Sequence, residues 1–383
     1  MKIIIASDSY KESLTALEVC EAVEKGFRSI YPKAEYIKIP IADGGEGTVQ
    51  ALVDATQGKI VNLPVTGPLG NVVEGFYGLS ADQQTAFIEM AAASGLHHVP
   101  LEKRNPFLTT TRGTGELILH ALEQGVHRII LGLGGSATND GGAGMLSALG
   151  VRFFDSSNCV IEPNGGNLDC ITYFDISQLD PRLAQVEIEA ACDVTNPLTG
   201  VTGASFIFGR QKGATDEMIE RLDCNLKYYA RLIKQTLHVD IEFVPGAGAA
   251  GGLGAAIVAF FHGTLRKGID IVLDYTNFNV HLQNADLVIT GEGRIDEQTV
   301  YGKAPIGVAK RAKEHNLPVI AIAGAVHPNH TPIYEEGIDA VFSIVSGAMT
   351  LEEAYEMGKE NIYTTARNIA AIWKLGLKNR PYS

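Results

Sequence analysis

The chain is predicted to be an α/β protein built from two α/β domains, one inserted into the other. Short apolar runs alternate with helical patterns at both ends of the sequence, the grammar of a parallel sheet with crossover helices. The middle mixes such runs with a hairpin pattern, as a second, mixed domain would. Many of the runs end in loops rich in glycine and carboxylates, where open α/β sheets hold their ligands. With 383 residues, the chain has room for two domains of ordinary size.

KIIIA at 2–6 reads as a buried strand of parallel type. In the helix after it, Thr15 and Glu18 have capping-box spacing, and Val19, Val23, Phe27 and Ile30 recur on one face. Residues 35–39 form the next strand, followed by the loop IADGGEGT at 41–48 and a helix through Leu52 and Val53 that stops at Gly58. The C-terminal part has the same order: strand 286–290 (DLVIT), loop 291–303, and a helix with Pro305 in its first turn. Strands at 318–323 and 339–345 come next. Thr350 and Glu353 open a final long helix whose Ala354, Met357, Ile369 and Trp373 can face a core. In the middle, 87–90, 128–131 and 186–191 read as strands, and 151–154 with 159–161 as a hairpin. The edges of the insertion are expected near 57–61 and 276–284. One discontinuous domain then covers 1–60 and 280–383, and a mixed α/β domain covers 61–279.

Net charge is −13 with no basic block, which makes nucleic acid and anionic membranes poor partners. An acidic chain that binds anions must gather cations locally, and Lys11, Arg112, Arg210, Lys212, Arg294 and Lys303 lie in or beside the unusual loops. No two of the five cysteines have C-x-x-C spacing, so neither a disulfide framework nor a zinc site is indicated. The opening apolar run is too short for a signal peptide and no segment reaches the length of a membrane span, so a cytoplasmic location is expected.

Three loops carry the chemistry. GLGGSATNDGGAG at 132–144 lies between an apolar run and a helix start, a place where backbone N–H groups and the helix N-terminus attract anions, phosphates above all. The bland alternative is a tight helix-packing turn. PGAGAAGGLG at 245–254 is either a second phosphate turn or a helix packed through small residues. GEGRIDEQT at 291–299 sets Glu292, Arg294, Asp296 and Glu297 directly after an apolar strand, and such carboxylates suit a hydrated Mg²⁺. Asp43 with Glu46, and Asp193, are further acidic residues in loops that follow strands. The sequence has no Walker A motif, no Rossmann fingerprint early in the chain and no nucleophile elbow.

In this order the motifs closely resemble bacterial glycerate kinases of the class I type. DSYKESLTA at 8–16, ADGGEGT at 42–48, TTTRGTGELI at 109–118, the 132–146 loop, CDVTNPLTG at 192–200, FGRQKGA at 208–214 and ADLVITGEGRIDEQT at 285–299 carry the resemblance, which spans essentially the whole chain. Two departures are Ser7 and Arg210, where many members have Pro. The resemblance implies ATP- and Mg²⁺-dependent phosphorylation of D-glycerate, to 2- or 3-phosphoglycerate. It also implies that the discontinuous domain is flavodoxin-like, with the site between the two domains. Phosphoryl transfer asks a protein mainly to position groups and neutralise charge. On that basis Gly134, Gly135 and Ser136, with Asn139 and Gly248, are expected to bind the ATP phosphates. Arg294 and Lys303 would neutralise developing charge, and Glu292 and Asp296 would hold Mg²⁺. Asp193 is expected to be the base, with Asp43 second, and Lys11 or Arg112 to bind the substrate carboxylate. Other readings of the residues are a kinase for a different hydroxy acid or sugar, and a metabolite-binding regulator without turnover.

Overall fold

The structure, a computed structural model, describes residues 1–45 and 47–378. The chain forms two compact units: Met1–Asp43 together with the chain from Ile269 onward, and Gly44–Gly268. Both limits fall earlier than the expected edges near 60 and 280. Gly58 is a natural helix stop, but the Thr48–Thr56 helix before it packs on strands Val72–Leu79 and Thr85–Glu89 of the second unit. The Val49 N–H at its start donates to Glu89 Oε1 at 3.0 Å.

The first unit holds a five-stranded, wholly parallel sheet in the order Ala340–Ser343, Val319–Val326, Leu287–Ile295, Lys2–Ser7, Glu35–Lys38. Numbered within the unit, this is the 2-1-3-4-5 order of flavodoxin-like sheets. Ile3, Ile4, Ile5, Val288 and Ile289 are fully buried, as in central parallel strands covered on both faces. Thr15 and Glu18 form the expected capping box on the Ala16–Arg28 helix. Its Val19, Val23 and Phe27 join Ile362, Ala366 and Ile369 of the Gly358–Lys378 helix in one core. The two helices approach so closely that a Cβ on Gly26 would sit 2.6 Å from the Tyr363 carbonyl oxygen. The C-terminal helix is not one long element. Thr350 and Glu353 cap a short helix, Leu351–Glu356, and Met357 is its exposed C-cap rather than a core residue. Ile369 is buried and Trp373 partly so.

The second unit holds a six-stranded mixed sheet in the order Thr264–Arg266, Glu187–Ala191, Arg128–Gly132, Thr85–Glu89, Val72–Leu79, Lys59–Thr66. The first four strands are parallel, and the last two form an antiparallel edge. The sequence pattern does not signal that edge hairpin, because KIVNLPVT carries Pro64, which a strand accommodates only at an edge. The expected 151–161 hairpin is part of a small antiparallel sheet, Val160–Ile161, Arg152–Phe154, Tyr173–Asp175. The two ends of this unit are neighbours: a Cβ on Gly44 would lie 2.9 Å from both Gly268 Cα and Ala191 Cβ.

A buried carboxylate ties three parallel strands of this sheet together. Glu189 pairs with Arg266 at 2.8 Å on one side and with Arg128 on the other. Burial alone would raise its pKa, but the two guanidinium groups outweigh it and hold the carboxyl below the usual range. Glu189→Gln leaves two arginines facing an uncharged amide. Because both arginines are partly solvated, we expect a loss of about 2–3 kcal/mol at neutral pH, read from denaturant unfolding. The wild-type advantage belongs to the ionised form, so it should be full above the usual carboxylate range and vanish as pH falls through the depressed pKa.

Candidate active site

In the first unit a cavity of about 510 Å³ opens at the carboxyl ends of the strands. It lies where strands Lys2–Ser7 and Leu287–Ile295 run side by side and strand order reverses, the position at which doubly wound sheets bind ligands. Ser7 Oγ donates to the Gly291 carbonyl at 3.1 Å and links the two strand ends. Asp8, Asp43 and Glu292 line the cavity together with Lys11, Arg294 and Lys303. Ile344, Val345, Leu351 and Ala354 add an apolar wall. Burial, reinforced by the charges of Asp43 and Glu292, pushes Asp8 up to about 7. Burial also raises Glu292, against a 2.7 Å hydrogen bond from Thr299 Oγ1 and Lys303 Nζ at 3.6 Å. Among the described residues no three His, Cys, Asp or Glu side chains converge closely enough to enclose a metal ion by themselves. Three mutually repelling carboxylates beside three cations nevertheless fit Mg²⁺, which takes only one or two protein carboxylates and completes its shell with phosphate oxygens and water.

The second unit has its own, smaller cavity of about 230 Å³. Gly134, Gly135 and Ser136 line it just beyond strand Arg128–Gly132, and Cys192 and Asp193 just beyond strand Glu187–Ala191. Gly135 has φ +70°, which a side chain rarely adopts. Among the described residues the N–H groups of Gly134, Gly135 and Ser136 donate to no protein acceptor. Three successive donors of this kind beside a cavity suit an oxyanion. Asp193 Oδ1 accepts the Gly268 N–H at 3.0 Å, which fixes the carboxylate at the cavity wall. Lys212, wholly buried, completes the lining.

The structure thus gathers the expected site residues into two groups. Asp43, Lys11, Glu292, Arg294 and Lys303 line the first cavity, and Gly134, Gly135, Ser136 and Asp193 the second. The others lie elsewhere. Asp296 caps its own turn, accepting the Gln298 N–H at 2.9 Å and pairing with Arg294 at 3.2 Å. Arg112 opens the Arg112–Glu123 helix and pairs with Glu116 and Glu162. Asn139 is buried with Nδ2 on Ser205 Oγ at 3.0 Å. Gly248 packs against the Pro197 carbonyl, so its lack of a side chain serves packing. Arg210 is exposed and paired with Asp216 at 2.6 Å. Glu46 is outside the described residues. Asp8 lines the first cavity without an expected role, and Lys212, expected only as one of the cations beside the unusual loops, lines the second. The rule that points to strand ends reaches Asp8, the first residue after Lys2–Ser7.

A model of the "Glycerate kinase family" matches residues 3–374. A glycerate kinase of Bacillus cereus is 66% identical, covering 98% of each chain, and a glycerate 2-kinase of Escherichia coli K12 is 56% identical, covering 99% of this chain and 100% of that one. Among solved structures, a candidate glycerate kinase 2 from Salmonella typhimurium LT2 superposes with a TM-score of 0.93 at 58% identity, over 99% of both chains. Fold and relatives together define a phosphotransferase with an alcohol group as acceptor. The chain belongs to the glycerate kinase family.

Asp8 gives this site a pH signature. Between the ordinary carboxylate range and pH 7 the folded protein keeps a proton on Asp8 that the unfolded chain has lost, so this group destabilises the fold as pH rises. In the presence of a chelator, Asp8→Asn should therefore raise Tm by a few degrees near pH 8 and far less near pH 4.5. A Tm that moves equally at both values would show that the carboxyl is not held protonated.

Proposed function

We propose that this enzyme transfers the γ-phosphoryl group of MgATP to the 2-hydroxyl of D-glycerate, giving 2-phosphoglycerate and ADP. Support comes chiefly from the contrast between the two cavities, one large, carboxylate-rich and cationic, the other small with three unused N–H donors and a fixed carboxylate. The first suits a metal-bound nucleotide and the second a three-carbon hydroxy acid. The glycerate 2-kinase among the relatives supports the 2-position.

In this reading Lys11, Arg294 and Lys303 neutralise phosphate oxygens, and one or two of the carboxylates Asp8, Asp43 and Glu292 would hold Mg²⁺. The metal, when bound, orients the polyphosphate and offsets its charge. Asp193 accepts the proton of the glycerate hydroxyl as its oxygen bonds to phosphorus and the bond to ADP breaks. The five free cysteines suit a reducing compartment, and we infer that the enzyme works in the cytoplasm. Among the described residues no helix is long and apolar enough to cross a membrane.

A second reading, with the nucleotide phosphates on residues 134–136, draws on the same three unused N–H groups. Gly135→Val separates the two. A side chain at φ +70° distorts the loop, so KM for glycerate should rise at least tenfold with KM for MgATP little changed. The reverse pattern would favour the second reading. The reaction itself is tested by ³¹P NMR of the products from D-glycerate and MgATP, where absence of 2-phosphoglycerate would count against it. Asp193→Asn should lower kcat by about 10²–10⁴-fold in a protein that still folds and binds MgATP.

A further inference from the structure

We propose that Lys212 is the carboxylate-binding residue of the second unit's cavity, its ammonium holding the acid group of the hydroxy-acid substrate; this rests on the assignment of that cavity to glycerate. Lys212 ends the short turn Arg210–Lys212 and is only 2% exposed. Its Nζ donates to the Thr138 carbonyl oxygen at 2.6 Å, which occupies one of three ammonium protons. A lysine buried for structural reasons is ordinarily paired with a carboxylate.

Here the carboxylate whose charge acts on it, Asp140, has its oxygens taken up by four other donors: Thr111 N–H, Thr111 Oγ1, Gly142 N–H and Gly144 N–H. Burial lowers the Lys212 pKa to about 7, and Asp140 offsets this only in part. A cation left so poorly compensated gains strongly from an anion brought beside it. The space it borders is the cavity lined by Gly134, Gly135 and Ser136, whose N–H groups are the other donors an oxyanion needs. Asp193 lines the same cavity, so the anion end and the hydroxyl end of one small ligand would each meet a matching group.

Steady-state kinetics of Lys212→Met and Lys212→Arg, with each substrate varied in turn, test this. Lys212→Met should raise KM for glycerate by about 10–100-fold, the loss of one charge-assisted hydrogen bond. It should leave KM for MgATP within threefold and melt no lower than wild type. Lys212→Arg should recover much of the glycerate affinity. An unmoved glycerate KM in folded Lys212→Met, or a rise confined to MgATP, would overturn the proposal. Should Lys212→Met not fold, wild-type protein treated with formaldehyde and a mild hydride reductant near neutral pH provides the measurement. Lys212 should then be methylated in the free protein and protected by glycerate but not by MgATP, as mapped by peptide mass spectrometry. Lack of protection by glycerate would overturn the proposal. A wild-type enzyme that forms no ADP with glycerate would sink the proposed function itself, whereas an active wild type with an unmoved Lys212→Met sinks only the role of Lys212.

Discussion

The Asp140 carboxylate is the constraint on which the second unit's site depends. Four hydrogen bonds converge on it, at 2.8 Å from both the N–H and the hydroxyl of Thr111 and at 3.1 and 3.2 Å from the N–H groups of Gly142 and Gly144. They join the start of the Arg112–Glu123 helix to the end of the glycine-rich loop. Thr111 Oγ1 then accepts from the Met145 N–H at 2.8 Å, so the Ala143–Ala148 helix starts from the same point. Burial raises the Asp140 pKa and these donors oppose the rise. Replacing it with an apolar residue would orphan several buried N–H groups, each a desolvation cost of about 1–3 kcal/mol.

The same loop shows why glycine-rich motifs need coordinates to interpret. Gly135 borders a cavity and a Cβ there would meet only Ala91 Cβ, at 3.3 Å, whereas Gly251 and Gly252 permit close backbone packing. A Cβ on Gly251 would collide with the Thr138 carbonyl, and one on Gly252 would stand 2.8 Å from Gly141 Cα. Gly141 N–H donates to the Gly251 carbonyl at 3.0 Å, so the two glycine segments are stitched to one another. PGAGAAGGLG combines close packing through its glycines with a place at the site, because its Ala249 and Ala250 line the same cavity as Gly135. The left-handed φ of Ala250, Gly251 and Gly252 then breaks the regular helix just where the loops meet.

What the sequence made legible follows from the range of the forces involved. Apolar runs, capping boxes at Thr15 and Thr350, and Pro305 in a first turn are local signals, and all appear as elements. The Lys59–Thr66 strand and the Asp216–Leu237 helix lie outside the expected elements, the first because Pro64 weakens its pattern. Charged residues divided by what faces them. Glu292 and Lys303 point into a cavity, but Asp296 turns back to cap its own backbone and Arg112 is taken up by Glu116 and Glu162. Nothing in the local sequence separates those cases. The burial of Lys212 depends on Thr138, far away in the chain, and no spacing rule reports it.

Gly44 and Gly268 lie almost in touch, although 44–268 is the larger part of the molecule. A polypeptide segment whose two ends meet can be spliced into a surface turn of another fold without stretching either. It can equally be lifted out, its ends joined by a short linker, or reopened at an exposed loop as a circular permutant. The gene is thus organised as a cassette within a host, and the layout offers a direct route to producing and dissecting each half on its own.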